Sequence, residues 1–262
     1  MSIHLRQICL VAAELQPVVE QLTNVFDIKV CHRDPVVKQY GLENVLLPLG
    51  TDFLEVVAPI EENTAASRYL NRLGRNGGYM VILQADSKDT QTAIRSRALA
   101  ARVRIAHEEE RDGWSSCQLH PADMEAAFLD IEWDAQEDFT GCWHPAGGLN
   151  WQQFRQKNTT VKLVGAQLNC SNPLALARLW RDILGTGVED AEREISLING
   201  KLRFAECGSR EYGNLAGITL GVKDKQRIIS LAHDYGCVSN FMTGSNQEEL
   251  EICGTKFTLV DL

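Results

Sequence analysis

The sequence predicts an α+β protein made of four βαβββ modules arranged in two pairs. Two observations support this. The order strand, helix, further strands recurs four times along the 262 residues. A short motif also recurs, at Phe53-Leu54-Glu55 and about 150 residues later at Phe204-Ala205-Glu206, each time placing an acidic residue in an apolar run. A buried carboxylate needs a partner, so the repeat indicates both a duplication and a candidate site.

The first module occupies residues 1–60. It opens with the apolar strand QICLVAAE, followed by PVVEQLTNVF, whose apolar residues recur at helical intervals. Three strand candidates separated by turn residues complete it: IKVCHRD, ENVLLPLG and DFLEVVAP.

The second module occupies residues 77–134 and repeats this order. GYMVILQAD is a predicted strand, and SKDTQTAIRSRALAA is a predicted helix with Ser87 as its N-cap. Its later strands are VRIAHEEE, WSSCQLHP and AAFLDIEWD.

The C-terminal half, residues 160–262, divides into modules at 160–209 and 213–262. In the third module PLALARLWRDIL is a predicted helix that ends at Gly185, and Asn199-Gly200 predicts a two-residue hairpin turn. The fourth module combines the strand GNLAGITLGVKD, the helix KQRIISLAHDYG and a final hairpin.

Residues 135–159 form a predicted crossover linker between the two domains. The segment is rich in turn formers but carries four aromatic residues: Phe139, Trp143, Trp151 and Phe154. A free linker does not need them, so we expect the segment to pack across a domain surface.

Composition restricts the class of protein. The net charge is −9 with no block of Lys or Arg, which argues against nucleic acid or an anionic membrane as partner. No apolar run is long enough to span a bilayer, and the chain opens without a signal-peptide pattern. The eight cysteines are dispersed without a CxxC, so we expect a reducing, cytoplasmic location.

The stretches QICLVAAELQPVVEQLTNVFDIKVCHRD, GLENVLLPLGTDFLEVVAP and QLHPADMEAAFLD together resemble the vicinal oxygen chelate superfamily. That superfamily includes glyoxalase I, methylmalonyl-CoA epimerase, extradiol dioxygenases and bleomycin-resistance proteins. The resemblance covers residues 1–134 well and residues 160–262 mainly in the order of elements. It implies two glyoxalase-like domains, in each of which two modules close a mixed β-sheet into a cup with flanking helices, and a site inside the N-terminal cup.

The resemblance also implies a metal site. Its ligand positions carry Gln7, Glu55 and Asp130, while Met80 stands where the family has a histidine. The implied cofactor is a divalent ion, Mn²⁺, Mg²⁺, Ni²⁺ or Zn²⁺, and three oxygen donors favour the harder ions. The lack of imidazole argues against a dioxygenase.

Each of these residues has an alternative interpretation. Glu55 could be a structural acid paired with Arg6, Arg33 or Gln7, and Asp130 could face the cup or solvent. His120, in the QLHP turn, could be an acid–base group or a structural strand-end residue. His32 and His144 are interpreted as turn residues.

The C-terminal half matches the ligand pattern less well. Gly165 and Glu206 stand at two of the expected ligand positions, and only Glu206 could bind a metal there. We therefore interpret this half as a scaffold or a dimer surface, with a homodimer as one expectation.

Three functions follow. In the first, the N-terminal cup binds a small oxygenated molecule and acts as a metal-dependent lyase or epimerase, with Glu55 and His120 as catalytic residues. In the second, it is a metal-free binding protein of the resistance type. An apolar pocket would then be lined by Phe53, Tyr79, Met80 and Phe128, with Glu55 orienting the ligand. In the third, both cups are relics in a structural or regulatory protein.

Overall fold

The structure is a computed structural model that describes residues 2–141, 143, 148–187, 192–208, 212–239 and 249–262. The helices in these ranges are α1 (Leu15–Phe26), α2 (Ala65–Leu73), α3 (Lys88–Ala100), α4 (Pro121–Met124), α5 (Pro173–Leu184) and α6 (Lys225–Asp234). The strands of the N-terminal half are β1 (Ile3–Val11), β2 (Leu42–Leu49), β3 (Asp52–Pro59), β4 (Gly77–Ala85), β5 (Ile105–Arg111), β6 (Trp114–Leu119) and β7 (Phe128–Asp134). Those of the C-terminal half are β8 (Thr160–Cys170), β9 (Glu194–Ser196), β10 (Lys201–Glu206), β11 (Asn214–Val222), β12 (Val238–Ser239), β13 (Glu249–Ile252) and β14 (Thr255–Asp261).

The strand pairing follows the predicted modular plan. In every module the first strand runs parallel to the last, as β1 with β3, β4 with β7, β8 with β10 and β11 with β14. The antiparallel pairs β1–β4 and β8–β11 join the modules two by two into cups. The described strands form one mixed sheet that folds into two cups with flanking helices, which confirms the predicted fold class.

Helices cover one face of these sheets because alternate strand residues are apolar. Ile8 and Leu10 of β1, and Leu54 of β3, point into a core that also receives Leu22 of α1. Ser87 caps α3 by accepting a hydrogen bond from the Thr90 backbone N–H. The predicted end of α5 is also observed, with Gly185 at φ 71°. Within the described residues, no helix is long and apolar enough to cross a bilayer.

The two cups meet where β4 touches β11. Gly78 pairs with Leu215, and a Cβ at Gly78 would lie 2.3 Å from the Leu215 carbonyl oxygen. Toward the other end of β1, the Asn199 side chain bonds both the N–H and the carbonyl of Leu5, at 2.8 and 2.9 Å. Side-chain amide bonding to β1 thus ties the C-terminal half to the N-terminal sheet.

Two local predictions were wrong, and one helix was missed. The segment IKVCHRD forms no strand; only His32 makes a bridge, to Leu46, because Asp34 caps a 3-10 turn that starts at Pro35 and leads the chain away from β2. Helix α2 was not predicted. The third-module hairpin has a four-residue loop, since Ser196 pairs with Lys201.

The repeated Phe-x-Glu motif is not structurally equivalent in its two copies. Phe53 pairs with Gln7 and shares the concave face of its sheet with Glu55, whereas Phe204 points to the helix layer and contacts Trp180 at 5.6 Å between rings. A one-residue shift in a strand moves every side chain to the opposite face. Glu206 is accordingly an exposed strand-end residue rather than a counterpart of Glu55.

Candidate functional site

The concave face of the N-terminal cup encloses a cavity of about 690 Å³. Most of the residues singled out in the sequence lie in its wall: Gln7, Glu55, Tyr79, Met80, His120, Phe128 and Asp130. They meet because alternate residues of neighbouring strands share a face. In the registers, Met80 lies beside Phe128 and Ile82 lies beside Asp130.

Tyr79 and Met80 both reach the cavity although they are adjacent in sequence. Cys9 pairs with Met80 but Leu10 pairs with Gly78, so Tyr79 is an extra residue in a β-bulge. Its ring makes edge contacts at 5.1 Å with Tyr69 and with Phe128. The bulge thus adds an aromatic wall to the cavity.

Phe53 lies elsewhere, in the part of the concave face that the linker covers. Its ring packs edge-on against Trp151, 5.1 Å away, and Arg6 lies 5.9 Å from its centroid. Trp143 is also fully buried there, next to Leu46. The expected packing of the linker aromatics is observed for both tryptophans, and it removes Phe53 from the cavity wall.

Glu55 is held by neutral side chains. Gln7 donates its Nε2 to Glu55 Oε2 at 2.8 Å, and Asn44 donates Nδ2 to Oε1 at 2.7 Å. Trp143 in turn donates its indole N–H to Gln7 Oε1 at 3.3 Å. Burial raises the pKa of the Glu55 carboxyl, and the hydrogen bonds from Asn44 and Gln7 act against that shift. Of the partners considered for Glu55, Gln7 is the one observed.

Asp130 faces the cup. Its Oδ2 accepts a hydrogen bond from Gln118 Nε2 at 3.0 Å, whereas its Oδ1 is buried without a hydrogen bond of normal geometry. Burial raises the pKa of this carboxyl to about 7, although Gln118 and nearby backbone N–H groups favour the ionised form. Asp130 therefore changes its protonation near neutral pH, beside an open cavity.

Glu132 also lines the cavity, and sequence reasoning missed it. It accepts the Trp114 indole N–H at 2.9 Å, and burial together with the charge of Asp130 raises its pKa well above the ordinary range. Asp134 follows on the same face and bonds Gln84 at 3.2 Å. The sequence did contain a pattern that indicates these acids. In DIEWD, acidic and apolar residues alternate, as they do in a strand with one acidic face.

The side chains at the implied metal site do not fit a divalent ion. Both oxygens of Glu55 and the carbonyl of Gln7 already accept hydrogen bonds from protein N–H groups. Met80 supplies a thioether where an oxygen or nitrogen donor is needed, which leaves Asp130 Oδ1 as the open oxygen among the implied ligands. Magnesium-type ions require near-octahedral oxygen ligation. Among the described residues, no three His, Cys, Asp or Glu side chains are grouped to hold a metal.

His120 caps the short helix α4. Its Nδ1 accepts the Ala122 backbone N–H at 3.2 Å, so the neutral ring carries its proton on Nε2. The ring lies in the cavity wall. His120 thus has a structural role as the cap of α4, and its Nε2–H is available as a hydrogen-bond donor. His144 lies outside the described residues.

The C-terminal cup has different side chains at the corresponding places. The β-bulge at Val164 of β8 matches the β-bulge at Arg6 of β1, so Gly165 corresponds to Gln7, as expected from the sequence. Lys201 pairs with Gly165 as Phe53 pairs with Gln7, so Arg203, and not Glu206, takes the place of Glu55.

The same register argument extends to the other two ligand positions of the C-terminal cup. Thr219 pairs with Gly165 and with Thr258, as Ile82 pairs with Gln7 and with Asp130, so Thr258 takes the place of Asp130. Gly217 likewise takes the place of Met80, since it pairs with Gln167 as Met80 pairs with Cys9. These four positions of the C-terminal cup therefore contain no carboxylate.

No family model matches the chain, and no curated protein matches it. Among solved structures, a hypothetical protein of Staphylococcus aureus aligns with 99% of this chain and 100% of its own, at 13% identity and a TM-score of 0.63. A methylmalonyl-CoA epimerase in complex with methylmalonyl-CoA and NH₄⁺ aligns with 53% of this chain and 99% of its own, at 19% identity and a TM-score of 0.45. The epimerase of Streptomyces coelicolor in complex with 2-nitronate-propionyl-CoA covers 50% and 96%, at 19% identity and a TM-score of 0.43.

The chain has a glyoxalase-like fold. The Staphylococcus aureus structure shares the fold of this chain over both cups. At such low identities the likeness concerns the fold alone, so any function must be argued from the cavity.

Proposed function

We propose that the N-terminal cup binds a small oxygenated molecule and transfers a proton to or from it without a divalent ion, with Asp130 as the acid–base residue. The observation that carries this proposal is the unpaired, buried Oδ1 of Asp130 beside the cavity. A group that titrates near neutral pH is suited to both removing and returning a proton.

The proposed step is the removal of a proton from a carbon next to a carbonyl group. The Asp130 carboxylate takes the proton, and the electron pair of the C–H bond moves toward the carbonyl to give an enolate. The N–H of His120 is the candidate donor to the enolate oxygen. Return of the proton from the Asp130 carboxylic acid to the same face regenerates the starting compound, with exchange of that proton in D₂O. Delivery of a proton from solvent to the opposite face completes an epimerisation, while loss of a neighbouring group completes a lyase reaction.

Glu55 has a binding role in this proposal. Its carboxyl is fixed from both sides by Gln7 and Asn44, so it forms a rigid polar part of the wall beside Met80. A ligand hydroxyl or N–H that reaches it would be oriented without further ordering of the protein.

Binding without catalysis is the alternative, and the aromatic wall of Tyr69, Tyr79 and Phe128 supports it. Such a wall encloses an apolar ligand whether or not a proton moves. The two functions differ in what the Asp130→Asn substitution does.

Proton exchange in D₂O separates the two functions. A panel of 2-oxo acids, hydroxy ketones and acyl thioesters is incubated with the chelator-treated protein, and loss of C–H signal is followed by NMR. We expect faster exchange for at least one compound, and Asp130→Asn should slow it by about 100-fold or more. Glu206→Gln, which changes an exposed acid in the other cup, is the control. Equal exchange rates in Asp130→Asn and the unchanged protein would contradict the acid–base role.

A further inference from the structure

One face of helix α2 lines the mouth of the same cavity. The residues on that face are Ala65, Arg68, Tyr69 and Arg72, spaced as neighbours on one side of a helix. Thr64 caps the start of the helix by accepting the Ser67 N–H, and Gly74 ends it at φ 72°. The helix thus holds two arginines, one turn apart, at the entrance.

These two arginines are not neutralised by the protein. Arg68 donates to the Asn63 carbonyl, and Arg72 lies 5.0 Å from the Tyr69 ring centroid. In the described part of the chain neither makes an ion pair with a carboxylate.

The other charged groups near the entrance are engaged elsewhere. Arg111 pairs with Glu109 at 2.5 Å, and His107 contacts the Tyr40 hydroxyl at 3.1 Å. The Asp34 carboxylate caps the 3-10 turn by accepting the Val36 N–H at 2.9 Å and keeps its charge. The entrance therefore sets two arginine charges against one unpaired carboxylate, which leaves it net positive in a chain whose net charge is −9.

The character of the cavity wall changes with depth. Below the arginines stands the aromatic wall of Tyr69, Tyr79 and Phe128. Glu55, Asp130 and Glu132 follow on the strands behind it. A negatively charged group is attracted by the arginines and gains nothing from the carboxyls, so a ligand with one charged end is oriented with that end at the entrance.

We infer that the ligand of the N-terminal cup is an amphipathic organic anion, whose carboxylate or phosphate binds Arg68 and Arg72 while its apolar body reaches past Tyr79 toward Asp130. This inference rests on the proposed function, since it names the class of molecule that the same cavity takes. Both kinds of anion suit a pair of guanidinium groups.

Displacement of the neutral fluorescent dye Nile red tests the inference. Decanoate, decyl phosphate and decan-1-ol share an apolar chain and differ in the head group. We expect at least one of the two anions to compete about 10-fold better than decan-1-ol, a difference of about 1.4 kcal/mol. Added salt should weaken the anions alone.

The double variant Arg68→Gln, Arg72→Gln should bring the better anion to within about 3-fold of decan-1-ol, with decan-1-ol itself unchanged. The control Arg178→Gln, Lys225→Gln removes the same charge from exposed helix positions and should change none of the affinities.

Each outcome discriminates. If decan-1-ol competes as well as both anions, or if the double variant and the control behave alike, the role of the arginines is refuted while the cavity remains a binding site. If none of the three compounds displaces the dye, the proposed function fails together with this inference.

Discussion

Asp130→Asn gives a stability change whose sign and size follow from the structure. Burial raises the pKa of Asp130 from an ordinary value of 3.8 to about 7 in the folded protein. Between these values the folded state holds a proton that the unfolded state has lost. Unfolding therefore releases a proton, and the contribution of Asp130 to stability falls as the pH rises through this interval.

The expected size can be worked out for the interval from about pH 5 to about pH 8. Each unit of pKa difference corresponds to about 1.4 kcal/mol. The loss accumulates from pH 5 up to the folded-state pKa and then stops, which gives about 3 kcal/mol. An asparagine cannot ionise, so the variant should lack this loss and gain about 3 kcal/mol relative to the unchanged protein between the two pH values.

Urea denaturation followed by tryptophan fluorescence, at several pH values, measures this difference. The control is Asp123→Asn, because pairing with Arg104 lowers the pKa of Asp123 to about 2. Its stability difference from the unchanged protein should be constant over the same interval, since Asp123 stays ionised in both states. A flat difference for Asp130→Asn as well would refute the assignment of a pKa near neutrality.

Three other substitutions test the site and the fold. Trp143→Phe should lower the free energy of unfolding by about 1–3 kcal/mol in urea denaturation, because Gln7 Oε1 loses its buried donor; an unchanged midpoint would contradict that contact. Met80→His should produce no saturable Mn²⁺ binding in calorimetry, because Gln7 and its neighbours remain bonded to each other; tight stoichiometric binding would show that these side chains can turn to a metal. Gly78→Ala should lower stability by more than about 2 kcal/mol, since its Cβ would meet Leu215, whereas Gly187→Ala, with open space around it, should be nearly neutral.

The periodicity of the sequence was sufficient for the four modules, and the family resemblance supplied their closure into cups. Helix α3 with its Ser87 cap and helix α5 with its Gly185 end are local structures, set by nearby residues. Helix α2 was not predicted because it is short, buries few apolar residues and contains two arginines, so its composition is that of an exposed segment. The segment before Pro35 was wrongly predicted as a strand. Whether it pairs with a neighbouring strand depends on the path of the 3-10 turn that follows it, and the sequence does not give that path.

The site was only partly accessible from sequence. The strand positions of Glu55 and Asp130 followed from alternation and resemblance. That Phe53 lies under the linker could not follow, since it depends on Trp151, distant in sequence. The side of the sheet to which Phe204 points could be known only from the pairing of β10 with β8. A one-residue shift in that pairing leaves the Phe-x-Glu sequence unchanged but moves its side chains to the opposite face.

The most direct test of the account is an NMR titration of the Asp130 carboxyl carbon, assigned by comparison with Asp130→Asn. The account predicts a midpoint near pH 7 that Mg²⁺ and Mn²⁺ leave in place. A midpoint below about pH 5, near the ordinary aspartate range, or one that falls sharply when either ion is added, would contradict a metal-independent acid–base role for Asp130.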